Sequence, residues 1–180
     1  MNKYLLNTWD IDKIAFAGFD FYELYIDAIA NAHSNAIFVE VGAYQGQSAI
    51  FMGKMLQMLN RTDIRFYTIE VDYNNYEKLL ANIINCNVKK IVNPINISSI
   101  SASKIFDDKS LDFVFIDADH AFVNVSLDIL AWKPKVKIDG ILSGHDYCVD
   151  YPGVKKAVDK HIGEDNIQLV KSSWITRINE

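Results

Sequence analysis

Residues 36–48 read AIFVEVGAYQGQS, an apolar run that ends in a glycine and then passes into polar residues. A short apolar run bounded by a turn residue is typical of a strand that is buried on both faces of a sheet. Gly42 and Gly46 permit a tight turn, and the apolar spacing behind them predicts a helix from Gln47 to Leu59. The start of that helix offers N–H groups to an anionic ligand. Two glycines alone are equally typical of any strand-to-helix turn.

The alternation of strand and helix continues along the chain. Apolar runs predict further strands, and apolar residues spaced three or four apart predict further helices. We expect strands at 64–69, 88–92, 111–116 and 140–143, and helices at 19–33, 73–84, 99–106, 122–132 and 153–162. Two last strands, at 167–170 and 174–178, are separated by a short turn and predict a hairpin. The sequence therefore predicts an α/β fold, a parallel sheet with an antiparallel edge strand and helices on both faces.

The composition is ordinary for a globular domain. The chain has 180 residues, of which 50% are hydrophobic and 23% are charged. We therefore expect a single domain over residues 1–180, with residues 1–35 as a helical lead-in. The formal net charge of −5 has the wrong sign for a non-specific nucleic-acid binder and gives no attraction to anionic membranes.

The cysteines and the N-terminal residues bear on the compartment. Cys86 and Cys148 are too few for a disulfide framework and lack the spacing of a metal site, so they suit a reducing environment. No apolar run approaches the roughly 20 residues of a membrane helix. Acids interrupt the N-terminal stretch where a signal peptide would be apolar. We expect a cytoplasmic protein that does not enter a membrane.

Polar side chains follow the second and third predicted strands, where ligands of a parallel sheet bind. Glu70 ends the second strand, and one carboxylate there can accept hydrogen bonds from both hydroxyls of a ribose. Asp72 is instead typical of the cap of the following helix. Ser98 and Ser99 follow the third strand. They either reach an adenine edge or cap the short helix behind them, and both interpretations stay open.

Five ionisable residues follow the fourth and fifth predicted strands. Asp117, Asp119 and His120 come after the fourth strand, and His145 and Asp146 come after the fifth. If these strands are neighbours, the carboxylates converge, and packed like charges repel one another unless a cation lies among them. Carboxylates suit Mg²⁺, Ca²⁺ or Mn²⁺, and histidine is the commonest general base near neutral pH. The sequence therefore predicts a functional site at these strand ends.

These segments resemble the motifs of class I S-adenosylmethionine-dependent methyltransferases. Residues 40–48 are similar to the first motif, especially in the form found in catechol O-methyltransferase and its small-molecule relatives, and Thr68-Ile69-Glu70 resembles the second. Residues 111–120 and 144–147 resemble bacterial methyltransferases that tailor sugars and antibiotics. The resemblance covers residues 36–161. It implies a Rossmann-like fold, S-adenosylmethionine as cofactor, and methyl transfer to a hydroxyl of a small molecule such as a sugar or natural product.

The resemblance also implies roles for individual residues. Glu70 would bind the ribose, and Asp117 would border the cofactor and take part in catalysis. The metal-dependent relatives hold Mg²⁺ with acids that match Asp117 and Asp146. The remaining cofactor contacts would come from the glycine loop for the methionine part and from two serines near the adenine: Glu40, Gly42, Tyr44, Gly46, Ser48, Ser98 and Ser99.

Two residues depart from the pattern of catechol O-methyltransferase. His120 stands where that enzyme has a catalytic lysine, and Tyr147 stands where it has an asparagine ligand of the metal. These departures argue against a catechol substrate. We expect His120 to remove the proton of the acceptor hydroxyl. We expect Asp119 or His145 to complete the metal site.

Three alternatives stay open. An NAD-dependent oxidoreductase would also use an acid after the second strand, but its G-x-G-x-x-G fingerprint requires glycine where this chain has Tyr44 and Gln47. A metal-independent methyltransferase would use Asp117 and Asp146 only to orient His120. A non-enzymatic domain would bind the cofactor without turnover. Because 180 residues leave no separate substrate domain, we expect an acceptor pocket that is shallow, built from short loops, or completed by the second subunit of a homodimer.

Overall fold

The structure is a computed structural model that describes residues 21–179. The predicted helical lead-in is helical over Tyr22–Asn31, and its first part, residues 1–20, lies outside the described residues. The helices are α1 (Tyr22–Asn31), α2 (Gln47–Met58), α3 (Tyr73–Asn85), α4 (Ser99–Ser103), α5 (Phe122–Trp132) and α6 (Pro152–His161). The strands are β1 (Ile37–Val41), β2 (Arg65–Ile69), β3 (Val92–Ile95), β4 (Leu111–Ile116), β5 (Val136–Gly144), β6 (Gln168–Val170) and β7 (Ser173–Arg177).

The strands form one sheet in the order β3-β2-β1-β4-β5-β7-β6. Strands β1 to β5 run parallel, whereas β7 runs antiparallel to both β5 and β6. β6 and β7 form the predicted hairpin, in which Val170 pairs with Ser173 across the turn Lys171-Ser172. The prediction of a parallel sheet with an antiparallel pair at one edge is therefore confirmed.

Two apolar cores lie on the two faces of the sheet. Successive strand residues point to opposite faces, so Phe38 packs beneath α1, α2 and α3, and Val39 packs beneath α4, α5 and α6. The same alternation places Phe113 and Val114 of β4 in opposite cores. Burial of each large apolar side chain contributes roughly 1.5–3 kcal/mol, so both helical layers are held firmly to the sheet.

The third strand differs from its predicted position of 88–92. Val88 to Ile91 form a turn, because the N–H of Val88 donates to the carbonyl of Ile83 and that of Ile91 donates to the carbonyl of Val88. Val88 is apolar because it packs against α2 and not because it belongs to the sheet. The strand is Val92–Ile95, and it contains Pro94, which an edge strand tolerates. The helix predicted at 99–106 ends at residue 103, and β5 begins at residue 136 instead of 140.

The order of the strands reverses between β1 and β4, since β2 and β3 lie on one side of β1 and β4 to β7 lie on the other. Ligands of open α/β sheets bind at such a reversal, beyond the carboxyl ends of the strands. The loops after β1, β2, β4 and β5 all meet there. None of the helices within residues 21–179 is long and apolar enough to cross a membrane.

Candidate active site

The glycine loop, residues 42–46, connects β1 to α2 and touches the end of β4. Gly42 has a φ of +96°, and a Cβ atom on it would lie 2.0 Å from the backbone oxygen of Asp117. Gly46 has a φ of +93° and caps α2. Only glycine meets both demands at Gly42, because the left-handed backbone and the close approach each exclude a side chain. The glycine loop, which belongs to the first predicted motif, therefore lies directly against Asp117, the predicted catalytic acid.

Glu70 holds the glycine loop in place. Its Oε2 accepts a hydrogen bond of 2.7 Å from the N–H of Tyr44, and its Oε1 accepts one of 2.8 Å from the N–H of Asp72. Tyr44 has a φ of +48°, which is unfavourable for a bulky residue. The hydrogen bond from its N–H to Glu70 helps to maintain this backbone conformation. Burial raises the pKa of Glu70, although the same hydrogen bonds oppose the shift. Asp72 caps α3, as the sequence predicts, by accepting from the N–H of Asn75.

Glu40 lies under the glycine loop with no exposed surface. The hydroxyl of Tyr25 donates to its Oε1 at 2.8 Å, the hydroxyl of Thr68 donates to Oε2, and Ser48 adds a third hydroxyl. Burial raises the pKa of Glu40, and the three hydroxyl hydrogen bonds act in the opposite direction. The carboxylate of Glu40 and the hydroxyl of Ser48 thus bind each other and fix the strand-to-helix turn from below.

The two serines after β3 face protein groups. Ser98 caps α4, and its Oγ accepts from the N–H of Ser101 at 3.3 Å. The Oγ of Ser99 accepts from the indole N–H of Trp132 at 2.8 Å and is also hydrogen-bonded to Asp128 of α5. The capping interpretation is confirmed for Ser98.

The strand ends after β4 and β5 bring Asp117, His120 and Asp146 together. One ligand atom from each of these side chains lies within 4.8 Å of the others, and we call this group the acid–histidine cluster. The Nε2 of His120 is 2.8 Å from Oδ2 of Asp146. The His120 ring stacks on Tyr151 with 4.2 Å between ring centres. The prediction that acids and histidine from neighbouring strands converge here agrees with this arrangement.

His145 lies beside the cluster and is nearly buried. Its Nδ1 is 3.1 Å from Oδ1 of Asp146 and 3.9 Å from Oδ1 of Asp117. Its Nε2 is 2.9 Å from Oγ of Ser172, in the turn between β6 and β7. Asp146 therefore lies between two histidines, and each of its carboxylate oxygens faces one imidazole.

The two acids of the cluster differ in pKa. Burial raises the pKa of Asp117 to about 7, and the charges of Asp146 and Glu40 add to the effect while His145 opposes it. Burial would also raise the pKa of Asp146, but the hydrogen bonds and charges of His145 and His120 outweigh it and hold that pKa below its usual value. Of the two acids, Asp117 therefore holds its proton more tightly than Asp146.

Asp119, predicted as a possible metal ligand, and Tyr147, which replaces the asparagine ligand of catechol O-methyltransferase, both bind other protein groups. Asp119 binds groups at the start of α5, because Oδ1 accepts from the N–H of Ala121 at 2.6 Å and Oδ2 accepts from the Asn124 side-chain amide at 2.9 Å. The N–H of Ala121 lowers the pKa of Asp119. The hydroxyl of Tyr147 donates to Asp159 of α6 at 2.6 Å. Among residues 21–179, the metal-competent group contains neither Asp119 nor His145.

The surroundings of the cluster are open. A groove of about 830 Å³ lies beside α1 and β7, and no residue of the cluster lines it. A groove of about 630 Å³ lies along the loop after β5 and the start of α6, and Val149, 87% exposed, forms part of its wall.

The strand order, the glycine loop after β1 and the acid after β2 together define a class I S-adenosylmethionine-dependent methyltransferase. A family model described as a methyltransferase domain matches residues 39–147, more than half of the chain, so this chain belongs to that family. No curated protein matches the chain in sequence. The resemblance inferred from the motifs is confirmed, and the family identifies S-adenosylmethionine as the cofactor.

Solved structures show the same fold. A candidate caffeoyl-CoA O-methyltransferase from Staphylococcus aureus has 15% identity and a TM-score of 0.70, covering 99% of this chain and 91% of that one. The O-methyltransferase NovP has 16% identity and a TM-score of 0.68 over 91% and 81% of the two chains. CalS11, a TDP-rhamnose 3'-O-methyltransferase, has 10% identity and a TM-score of 0.67 over 99% and 82%.

Proposed function

We propose that this enzyme transfers the methyl group of S-adenosylmethionine to a hydroxyl of a small molecule, such as a sugar or a natural product. The acid–histidine cluster carries the proposal, because it lies against the glycine loop at Gly42 and contains a histidine suited to deprotonate an alcohol. The structural neighbours NovP and CalS11 are O-methyltransferases, which supports the choice of oxygen as the acceptor atom.

The cofactor would lie along the glycine loop and across the ends of β1 and β2. Gly42, Tyr44 and Gly46 would contact its methionine part through their backbone, while Glu40 and Ser48 would hold that backbone from below. Glu70 would bind the ribose, since each of its oxygens accepts one protein N–H and keeps a further acceptor position. Ser98 and Ser99 would border the adenine at the start of α4.

The proposed reaction is an in-line displacement. His120 takes the proton of the acceptor hydroxyl, and Asp146 orients the His120 ring through its 2.8 Å hydrogen bond. The acceptor oxygen then bonds to the methyl carbon while the carbon–sulfur bond breaks and its electron pair stays on sulfur. The products are the methyl ether, S-adenosylhomocysteine and protonated His120. Alignment of the two reactants supplies much of the barrier reduction.

We also propose that a divalent cation, Mg²⁺ or a similar ion, assists this reaction. The carboxylates of Asp117 and Asp146 offer oxygen atoms within 4.8 Å of each other, ligands that such ions accept, and His120 beside them stays the base. The bound cation would stabilise the negative charge of the acceptor oxygen. The 2.8 Å contact of His120 with Asp146 equally favours the metal-independent alternative, in which both carboxylates orient the histidine.

A turnover assay tests both the proposed methyl transfer and the proposed role of the divalent cation. The enzyme is incubated with S-adenosylmethionine and a panel of sugars, catechols and acids, and S-adenosylhomocysteine is measured with Mg²⁺ or with EDTA. Turnover that EDTA abolishes and Mg²⁺ restores supports the cation, whereas turnover unchanged by EDTA would make that part wrong. Asp117→Asn should lower turnover at least tenfold with nearly unchanged cofactor affinity. Asp119→Asn serves as the control, because Asp119 faces α5.

The net charge of −5 supports a small-molecule acceptor over nucleic acid. We propose a cytoplasmic location, because the two cysteines suit a reducing environment. We further propose a homodimer, because the open site would gain a wall from a second subunit. Light scattering on the purified enzyme measures the oligomeric state directly. A monomer at all concentrations would overturn the homodimer.

A further inference from the structure

Ser172 joins the C-terminal hairpin to the loop after β5 through two contacts. Its Oγ is 2.9 Å from Nε2 of His145, and its carbonyl accepts a 2.8 Å hydrogen bond from the N–H of Tyr147. His145 precedes it by 27 residues, so no local sequence pattern connects them. The first contact fixes a side chain, and the second fixes only the backbone.

The two contacts of His145 together indicate which nitrogen carries the proton of the neutral ring. The carboxylate of Asp146 can only accept, so Nδ1 carries the proton, and Nε2 then accepts from the hydroxyl of Ser172. Nδ1 is 3.1 Å from Oδ1 of Asp146 and can then donate to it. The ring of Phe21, with its centre 4.9 Å away, packs against the imidazole and restricts its rotation.

We propose that Ser172 is a positioning residue of the methyl-transfer site: its hydroxyl holds His145 as the Nδ1–H tautomer, and His145 in turn orients the carboxylate of Asp146. The other oxygen of Asp146 is 2.8 Å from His120. A chain of contacts therefore runs from the C-terminal hairpin to the proposed base, Ser172 to His145 to Asp146 to His120. The effect on turnover rests on the proposed function of His120, whereas the effect on His145 does not.

The chain also offers a matched control. Ser173 is the next residue, is fully buried, and its Oγ has no hydrogen-bond partner among the described residues. Ser173→Ala therefore removes a hydroxyl from the neighbouring first residue of β7 without removing a contact of His145. Ser172→Thr is the conservative variant, since threonine retains the hydroxyl. Ser172→Ala keeps the backbone bond to Tyr147 and loses only the side-chain contact.

The experiment measures ¹⁵N chemical shifts of the imidazole ring of His145 at fixed pH in protein labelled at histidine, with His145→Gln to assign the signals. We expect the Nδ1–H tautomer in the wild type, Ser172→Thr and Ser173→Ala, and a different tautomer or a mixture in Ser172→Ala. With the best acceptor of the panel, kcat of Ser172→Ala should fall about tenfold to hundredfold, a range typical of lost supporting hydrogen bonds. Its KM for S-adenosylmethionine should stay within about twofold, because the glycine loop is untouched.

Unchanged ring shifts in Ser172→Ala would overturn the proposal, and so would an equal loss of kcat in Ser172→Thr or Ser173→Ala. A wild type that binds S-adenosylmethionine but methylates no acceptor would contradict the proposed function alone. In that case a tautomer change in Ser172→Ala would still support the inference that the Ser172 hydroxyl fixes the tautomer of His145.

Discussion

Gly42 is the residue at which the cofactor loop and the acid–histidine cluster meet. A Cβ atom there would lie 2.0 Å from the backbone oxygen of Asp117, and the φ of +96° is strained for any other residue. Gly42→Ala should therefore displace the loop from β4 and lower the affinity for S-adenosylmethionine at least a hundredfold in calorimetric titration. Backbone strain should also reduce the free energy of unfolding by about 1–3 kcal/mol.

Gly163→Ala separates strain from function. Gly163 has a similar φ of +94°, but it lies after α6 and its Cβ would meet only the Asn166 side chain. This variant should lose a similar free energy of unfolding in chemical denaturation while binding the cofactor normally. Equal cofactor affinity in the two variants would mean that the close approach at Gly42 is unimportant for binding.

Glu70 combines two tasks, because it fixes the backbone of Tyr44 and is proposed to bind the ribose. Glu70→Gln replaces one acceptor oxygen by an NH₂ group, so one loop N–H loses its partner. Loss of a buried hydrogen bond costs about 1–3 kcal/mol, which predicts a cofactor affinity about tenfold to hundredfold lower by titration. Asp72→Asn is the control, since asparagine also caps a helix and should leave the affinity unchanged.

At the scale of the elements, a buried carboxyl links α4 to α5. Asp128 is 5% exposed and is hydrogen-bonded to Ser99. Burial raises its pKa to about 6 from the ordinary 3.8. The folded state therefore binds this proton more tightly than the unfolded state, and the free energy of unfolding falls as the pH rises from about 4 to 6.

Asp128→Asn should remove this pH dependence, because asparagine is neutral at every pH. By linkage the difference in unfolding free energy between wild type and variant should shift by about 2 kcal/mol between pH 4 and pH 7, in favour of the variant at high pH. Urea denaturation at both pH values measures it. Asp107→Asn is the control: it changes an exposed acid, so its difference in unfolding free energy from the wild type should be the same at both pH values. The same result for Asp128→Asn would contradict the proposed effect of burying its carboxyl.

The sequence predicts an element well where an apolar pattern marks its buried face and a specific residue marks its end. β4 and α5 have the predicted bounds, because a continuous apolar run and a helix closed by Pro134 leave little freedom. β3 was misplaced because Val88 and Ile91 are apolar for contacts made with helices, and a short apolar run does not say what it packs against. The antiparallel pair was predictable because two strands lay too close together for a crossover helix.

In the candidate site, too, some residues have a local sequence pattern and others depend on how the chain folds. The glycine loop and the acids at the strand ends have local signals, so the sequence predicts Gly42, Glu70 and Asp117 as site residues. Asp119 has the same local signal as Asp117, and only the fold shows that its carboxylate binds Ala121 and Asn124 at the start of α5. Ser172 has no local signal, because its contact with His145 depends on how the hairpin lies beside β5.

For the molecule as a whole, the sheet gathers negative charge at one edge. Glu40 of β1, Glu70 after β2 and the two acids of the acid–histidine cluster lie around the proposed cofactor position, and these carboxylates account for part of the net charge of −5. S-adenosylmethionine carries a positive sulfonium, and S-adenosylhomocysteine has the same shape without that charge or the methyl group. The acidic edge should therefore favour the substrate form of the cofactor over the product form.

This preference should depend on salt, since the site is open and ions screen partly exposed charges. Raising the ionic strength from about 0.01 M to about 0.15 M shortens the Debye length from roughly 30 Å to 8 Å. We expect the affinity for S-adenosylmethionine to fall about threefold more than that for S-adenosylhomocysteine when both are titrated calorimetrically at pH 8. Asp139→Asn, which removes a charge near the start of β5 and away from the site, should leave this ratio unchanged. Equal salt dependence of the two ligands would show that contacts, and not the charge of the acidic edge, distinguish substrate from product.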